Sequence, residues 1–170
     1  MEGSPVFTAR ISSPLGGVAL TERGGRLIGI RLEGQRPIPH TDGAQARMTP
    51  VLKQTAQWLE RYFAGERPPA GELPLAPEGS AFRQVIWELL LQIPCGQVTT
   101  YGALAAQAAQ RMCRARMSAQ AVGGAVGHTP IAIVIPCHRV VGADGSMTGY
   151  DGGIDKKVWL LAHEQAQRRA

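Results

Sequence analysis

The chain has 170 residues, of which 44% are apolar and 18% charged, and it carries a formal net charge of +5. This length suits one domain or two small ones, and the mild basic excess is compatible with a polyanionic partner without requiring one. Its three cysteines lack metal-type spacing, no signal-peptide pattern opens the chain, and no apolar run approaches the ~20 residues that span a bilayer. We therefore expect a cytoplasmic protein without a metal, a disulfide framework or a membrane attachment.

The first half of the chain alternates strand and turn signals. Short segments rich in β-branched residues, separated by glycine-containing turns, predict an antiparallel meander with strands at 6–11, 18–21 and 27–32. The polar stretch 33–49 predicts a loop. Apolar positions with helical spacing then predict a helix over 50–64, which Gly65 ends.

The proline-rich stretch 66–79 shows little periodicity and predicts a linker. We place the domain boundary there. Residues 1–78 would form an N-terminal α/β domain with its linker, and residues 79–170 a mainly helical C-terminal domain.

The second half carries three helix starts. Ser80 is placed to cap a helix that ends before Pro94. Thr99 or Thr100 is placed to cap a short helix from Tyr101 to about 109, and Ser118 is placed to cap another over about 119–127. Two short helices joined by a turn, in the more basic half, predict a helix-turn-helix. The third helix has almost no side-chain bulk, which suits either close helix packing or entry into a narrow groove.

An apolar run at 131–135 leads through Pro136 to Cys137 and His138. The run predicts a buried strand that presents a reactive pair at its end. A buried cysteine is more often a packing residue than a chemical one, but a neighbouring histidine can make it a thiolate nucleophile. A last helix is predicted over 156–169, with Val158, Leu160 and Leu161 directed inward.

Four motifs, in order along the chain, resemble those of the O6-alkylguanine-DNA alkyltransferases. They are the active-site signature at 136–140, the start of the DNA-binding motif at 93–105, the active-site loop at 149–153 and the closing helix at 157–164. The stretches 13–16 and 62–65 also fit, so the resemblance covers nearly the whole chain. It implies an N-terminal ribonuclease H-like α/β domain, with a small antiparallel sheet and a helix, and a mainly α C-terminal domain with a winged-helix-like helix-turn-helix.

The resemblance implies direct reversal of DNA damage. Such a protein, expected here as a monomer without cofactor, binds double-stranded DNA from the minor groove and flips the O6-alkylguanine into a pocket. The alkyl group, from O6-alkylguanine and also from O4-alkylthymine, would move irreversibly to Cys137. His138 would take the thiol proton through a water, Glu164 would orient His138, and Tyr101 would donate to a ring nitrogen of the base.

The resemblance also assigns the binding residues. Tyr150 would line the alkyl pocket, the Asp151 N–H would bind O6, and the carbonyls of Cys137 and Val140 would accept from the exocyclic amine. Thr129 stands where the family usually has an asparagine that buttresses the turn before the active site. DNA contacts are assigned to Gln120, Ala119, Ala121, Gly123, Thr100, Arg114, Arg116 and Arg139.

Two features of the DNA-binding half depart from the family pattern. Gln120 stands where the family has an arginine that enters the base stack, and the connection between the two helices is longer than usual. Our hypothesis is that Arg111, Arg114 and Arg116 restore the lost phosphate attraction as a flexible basic loop.

Three other functions compete with repair. A lesion-binding relative without transfer would have the nucleophile replaced, typically by tryptophan, and Cys137 argues against it. A thiol hydrolase built on Cys137, His138 and Glu164 would leave the helix-turn-helix without a role. A plain helix-turn-helix regulator would leave the reactive stretch idle.

Overall fold

The structure is a computed structural model that describes residues 3–169, with side chains described up to residue 166. The chain divides into two compact units. The first comprises Met1–Glu78 together with Pro130–Ala132, and the second comprises Gly79–Thr129 and Ile133–Ala170. None of the described helices combines the length and apolar character needed to cross a membrane.

The first unit is built on an antiparallel meander, as predicted. Its strands β1 (Val6–Ser13), β2 (Gly16–Arg23) and β3 (Arg26–Leu32) pair in sequence. The sheet order is β3-β2-β1-β4, where β4 (Gln45–Ala46) runs parallel to β1. The prediction of an uninterrupted loop over 33–49 was wrong at β4, because two exposed residues show no periodicity from which a strand could be predicted.

Helix α1 (Pro50–Phe63) confirms the predicted helix. Thr49 caps it by accepting a hydrogen bond from the Leu52 N–H, and Pro50 occupies the first turn, where no amide donor is needed. Its apolar face is buried and contacts the meander. Gly65 has a positive φ of 101°, the left-handed conformation in which glycine commonly ends helices.

The stretch 66–79 is not the loose linker that was predicted. The backbone at its centre pairs with β3, since the Leu27 N–H donates to Pro74 O at 2.9 Å and the Ala76 N–H donates to Leu27 O at 2.8 Å. Farther along the same strand, Ile30 exchanges two 3.0 Å hydrogen bonds with Pro130 and Ala132. These segments protect the outer edge of β3 from pairing with another chain.

The second unit is mainly helical. It contains α2 (Ala81–Leu90), α3 (Tyr101–Arg111), α4 (Ala119–Gly127) and α5 (Ile154–Arg169), with a short parallel pair between β5 (Thr99–Thr100) and β6 (Val140–Val141). The predicted helices are confirmed, and Ser80, Thr100 and Ser118 each accept a capping hydrogen bond from an N–H in the following turn. One inward residue was predicted wrongly. Val158 is 45% exposed, while Leu160 and Leu161 are buried.

The predicted strand at 131–135 is buried but is not a strand. Ile131 forms one isolated bridge, and the chain then turns, with Ile133 at a positive φ of 71°. A left-handed β-branched residue is rare, so tertiary packing must impose this turn. A short apolar run shows only that a segment is buried, because strand and buried turn share the same composition.

Candidate active site

Cys137 opens a single 3₁₀ turn, Cys137–Arg139, directly after Pro136. Its N–H donates to Ile135 O at 2.8 Å, which fixes the backbone at the start of the turn. The side chain is 7% exposed, and that of His138 is fully buried. The turn therefore holds a thiol close to the surface beside an imidazole that solvent does not reach.

His138 and Glu164 form a buried pair. Nε2 of His138 lies 2.7 Å from Oε2 of Glu164, and neither side chain is exposed. A carboxylate accepts a hydrogen bond, so we assign the proton of the neutral ring to Nε2 and the lone pair to Nδ1. Nδ1 is buried and has no hydrogen-bond partner among the residues that the structure describes. The ring thus has a free basic nitrogen and a fixed tautomer.

Arg139 occupies the other side of the same carboxylate. Its Nε donates to Oε1 of Glu164 at 2.8 Å, and its Nη2 donates to Oε2 at 3.1 Å. Nη1 donates to Ile93 O at 2.7 Å, and the side chain is 11% exposed. These three bonds hold the guanidinium within the protein, and the assignment of Arg139 to DNA stays a prediction.

Charges and burial have opposite effects on the pKa values of His138 and Glu164. Burial lowers the pKa of His138, while the hydrogen bond and charge of Glu164 raise it, and the net effect is a pKa below the ordinary value. Burial alone would raise the pKa of Glu164, but His138 and Arg139 outweigh burial and hold that pKa far below its usual range. Glu164 is therefore a carboxylate at neutral pH, beside a histidine that resists protonation.

Lys157 is a functional candidate that the sequence reasoning missed. Its side chain is fully buried, and Nζ donates to Val140 O at 2.6 Å and to Thr148 O at 2.8 Å. Burial lowers its pKa, and the Cys137 thiolate acts in the opposite direction. Lys157 lies two helical turns before Glu164, and this spacing on the buried face of α5 was the available signal.

Tyr101 is the first residue of α3. Its hydroxyl donates to Thr148 O at 3.4 Å, and its ring lies 5.9 Å from Nζ of Lys157. Burial raises its pKa, so the phenol stays protonated at neutral pH and can donate. An atom placed as a Cβ on Gly123 of α4 would lie 3.9 Å from this ring, so the small residue there brings α4 close to Tyr101.

The predicted substrate-binding residues differ in whether their polar groups already have a partner within the protein. Tyr150 and Asp151 lie in the loop before α5, where the Gly153 N–H closes a turn on Tyr150 O at 3.0 Å. The carbonyl of Val140 already accepts from Lys157. The hydroxyl of Thr129 is buried and donates to Val126 O at 2.7 Å, so its observed contact closes the last turn of α4.

Helix α4 carries four of the eight residues that were assigned to DNA. Ala119, Gln120 and Ala121 are exposed, and Gly123 is partly exposed. The indole of Trp87 anchors the other end of the helix by donating to Ala125 O at 3.0 Å. Thr100 is half-exposed and caps α3 through the Ala103 N–H at 3.1 Å.

The basic connection before α4 is less free than the predicted flexible loop. Arg111 pairs with Glu88 at 3.0 Å. The Arg114 N–H donates to Ala109 O at 2.8 Å, and Cys113 has a φ of 55°. This pattern is a Schellman motif, which fixes the start of the connection. The side chains of Arg114 and Arg116 remain exposed.

Comparison with known proteins covers both units. Residues 6–77 match the ribonuclease-like domain of 6-O-methylguanine DNA methyltransferase, and residues 81–166 match its DNA-binding domain. A Haemophilus influenzae protein named methylated-DNA–protein-cysteine methyltransferase is 38% identical over 90% of this chain and 83% of its own. A Mycobacterium bovis protein of the same name is 39% identical over 94% of this chain and 93% of its own.

Solved structures agree in fold. A Mycobacterium tuberculosis OGT crystallised in complex with DNA superposes with a TM-score of 0.81 at 37% identity, over 95% of this chain and 94% of that chain. The chain therefore belongs to the 6-O-methylguanine DNA methyltransferase family, and the predicted family and fold class are confirmed.

Proposed function

We propose that this protein repairs duplex DNA by transferring the alkyl group of O6-alkylguanine to Cys137, once per molecule. The observation that carries the proposal is the buried pair of His138 and Glu164, 2.7 Å apart, in which His138 directly follows the nearly buried Cys137 in the chain. This is the arrangement of nucleophile, base and orienting carboxylate that activates a cysteine. The relatives named methylated-DNA–protein-cysteine methyltransferase support the same reaction.

The transfer is a displacement at carbon. The Cys137 proton moves to Nδ1 of His138, through a water, and the resulting thiolate forms the S–C bond as the C–O6 bond breaks. The electron pair of that bond passes into the guanine, and Tyr101 donates a hydrogen bond or its proton to a ring nitrogen so that the base does not leave as a free anion. The thioether has no good leaving group, so Cys137 is not regenerated.

The base must be brought out of the helix to reach Cys137. We assign this step to α4, whose exposed small residues suit a minor groove ~6 Å wide. Gln120 would fill the space that the guanine leaves and hydrogen-bond the orphaned cytosine. Arg114 and Arg116 would supply the phosphate attraction that a neutral glutamine lacks.

The flipped base would lie among loop residues near Tyr101. Tyr150 would line the alkyl pocket, and the Asp151 N–H would donate to O6. A carbonyl oxygen has two lone pairs, so Val140 O can accept from the exocyclic amine while it also binds Lys157. Thr129 would act indirectly by fixing the end of α4.

We extend the proposal to O4-alkylthymine as a second substrate, to action in the cytoplasm and to a monomeric state. Light scattering would test the monomeric state.

Intact-protein mass spectrometry tests the reaction directly. The protein is incubated with a duplex that carries one O6-methylguanine. We expect one added methyl group, located on Cys137 by peptide mapping and absent from Cys137→Ser. Binding without a mass change would instead make the protein a lesion binder, and repeated turnover of substrate would make it a hydrolase.

A further inference from the structure

A buried carboxylate beside a histidine creates a problem for a general base. Glu164 holds His138 in the required tautomer, but its charge also favours the imidazolium, which has no lone pair to accept the Cys137 proton. A site that needs a neutral imidazole must therefore offset the carboxylate without displacing it.

Arg139 has the geometry for this task. Its guanidinium bonds both oxygens of Glu164, and its third contact is the Ile93 carbonyl at 2.7 Å. Ile93 lies just beyond α2, so the guanidinium is fixed to a backbone atom outside the turn and outside α5. A planar, permanently charged fork with three engaged nitrogens leaves the carboxylate little freedom to rotate.

We propose that Arg139 is a positioning residue for the transfer reaction, which holds Glu164 in one orientation and offsets its charge so that His138 stays a neutral base. The proposal rests on the function proposed above. Arg139 contacts neither the substrate nor the reacting atoms in this role. It acts through Glu164, and Glu164 acts through His138.

The charges around His138 support this balance. Glu164 and Lys157 act on it from α5, and Arg139 and Cys137 belong to its own turn. Two cations thus oppose one carboxylate. Burial is the largest cause that lowers the pKa of His138, and Arg139 and Lys157 lower it further, against the effect of Glu164. Removing Arg139 should therefore raise that pKa.

Two substitutions separate charge from geometry. Arg139→Gln removes the cation, and we expect the low-pH limb of the single-turnover rate to move up by about one pH unit, since imidazolium persists to higher pH. Arg139→Lys keeps the charge but loses the planar fork that bonds both oxygens of Glu164 and the Ile93 carbonyl through three nitrogens. For Arg139→Lys we expect the low-pH limb of the rate to stay within a few tenths of a pH unit of that of the parent protein. The maximal rate should fall about tenfold, because Glu164 and His138 are less accurately positioned.

Nitrogen-15 NMR of the His138 ring provides a readout that does not need transfer. The parent should show the Nε2–H tautomer, and Arg139→Gln should show a higher pKa and mixed tautomers. Arg111→Gln removes an arginine of another Arg–Glu pair of this unit and should leave the ring signals unchanged. If parent and Arg139→Gln share one titration curve and one tautomer, Arg139 is only structural and the proposal fails. Failure of methyl transfer by the parent protein would refute the proposed function instead, while the NMR result would still stand.

Discussion

The ammonium group of Lys157 donates a hydrogen bond to the carbonyl oxygen of Val140 over 2.6 Å, from a side chain without solvent exposure. Val140 follows the Cys137–Arg139 turn directly, and Thr148, the second acceptor, lies in the loop that leads to α5. One buried cation therefore connects both backbone segments that flank the proposed base pocket. The Tyr101 hydroxyl donates to the same Thr148 carbonyl, so the loop position and the proton donor are linked.

The first prediction concerns this buried cation. Lys157→Met should lower the free energy of unfolding by about 2–3 kcal/mol, since it removes two hydrogen bonds that a buried ammonium donates to backbone carbonyls. It should also slow alkyl transfer at neutral pH, because the Cys137 thiolate loses a nearby positive charge. Urea denaturation and single-turnover kinetics measure the two effects. Lys156→Met is the control, since Lys156 is only half-buried and bonds one carbonyl, Gly152 O, at 3.1 Å. Equal effects of the two substitutions would contradict the assignment.

The second prediction concerns acid. The pKa values of His138 and Glu164 are both lowered in the folded protein, from ordinary values of 6.5 and 4.5. The unfolded chain therefore takes up each proton first, and stability falls as pH falls, initially below 6.5 and again below 4.5. Each step adds a slope of at most about 1.4 kcal/mol per pH unit.

Thermal unfolding measured between pH 5 and 7 isolates the effect of His138 protonation from that of Glu164. His138→Gln, which can still donate to Glu164, should flatten the dependence in this range. His40→Gln, a change in an exposed loop residue of the first unit, is the matched control. Parallel curves for the parent protein and His138→Gln would show that His138 does not resist protonation.

The third prediction concerns the first unit. The hydroxyl of Thr49 caps α1 and also donates to the buried Glu22 carboxylate at 2.5 Å. Thr49→Ala removes both interactions, while Glu22 keeps its hydrogen bond from the Gly25 N–H at 3.2 Å. We expect a loss of about 2 kcal/mol in urea denaturation. Thr49→Ser keeps the hydroxyl and should cost less than half as much. Equal losses would assign the effect to the methyl group.

Local chemistry was readable from the sequence, and tertiary placement was not. Ser80, Thr100 and Ser118 cap helices because their own side chains meet the next turn, and such interactions can be predicted from neighbouring residues alone. The turn at Ile133 and the approach of Arg139 to Ile93 depend on contacts between residues far apart in sequence. The family resemblance led to His138 and Glu164, whereas it assigned no role to Lys157, the first residue of the closing-helix motif.

The fourth prediction concerns the end of α3. Cys113 occupies the left-handed position of the Schellman motif at a φ of 55°, where glycine is favoured. Cys113→Gly should stabilise the protein by about 0.5–1 kcal/mol, because it relieves that backbone strain. Cys113→Ala keeps the strain and should lie within a few tenths of a kcal/mol of the parent. Chemical denaturation under reducing conditions measures both. If Cys113→Ala stabilised the protein as much as Cys113→Gly, the gain would come from removing the thiol and not from relieving backbone strain.

The fifth prediction concerns the basic connection before α4. Arg114 and Arg116 are exposed, whereas Arg111 is paired with Glu88. Each exposed arginine that neutralises a DNA phosphate contributes about 0.9 to the slope of log affinity against log salt concentration. The double variant Arg114→Ala with Arg116→Ala should therefore reduce the slope by about 1–2 in fluorescence anisotropy with duplex DNA.

Arg111→Ala is the matched control for this measurement. It removes one positive charge at the end of α3, next to the connection, but Glu88 already balances that charge, so the salt slope should change by less than about 0.5. Gln120→Arg tests the complementary point. A cation on the exposed face of α4 should restore about 0.9 of the slope that the double variant loses, because phosphate attraction depends on the number of contacts rather than on the element that supplies them. If the double variant and the parent have the same slope, the two arginines do not contact phosphates and Gln120 must act without them.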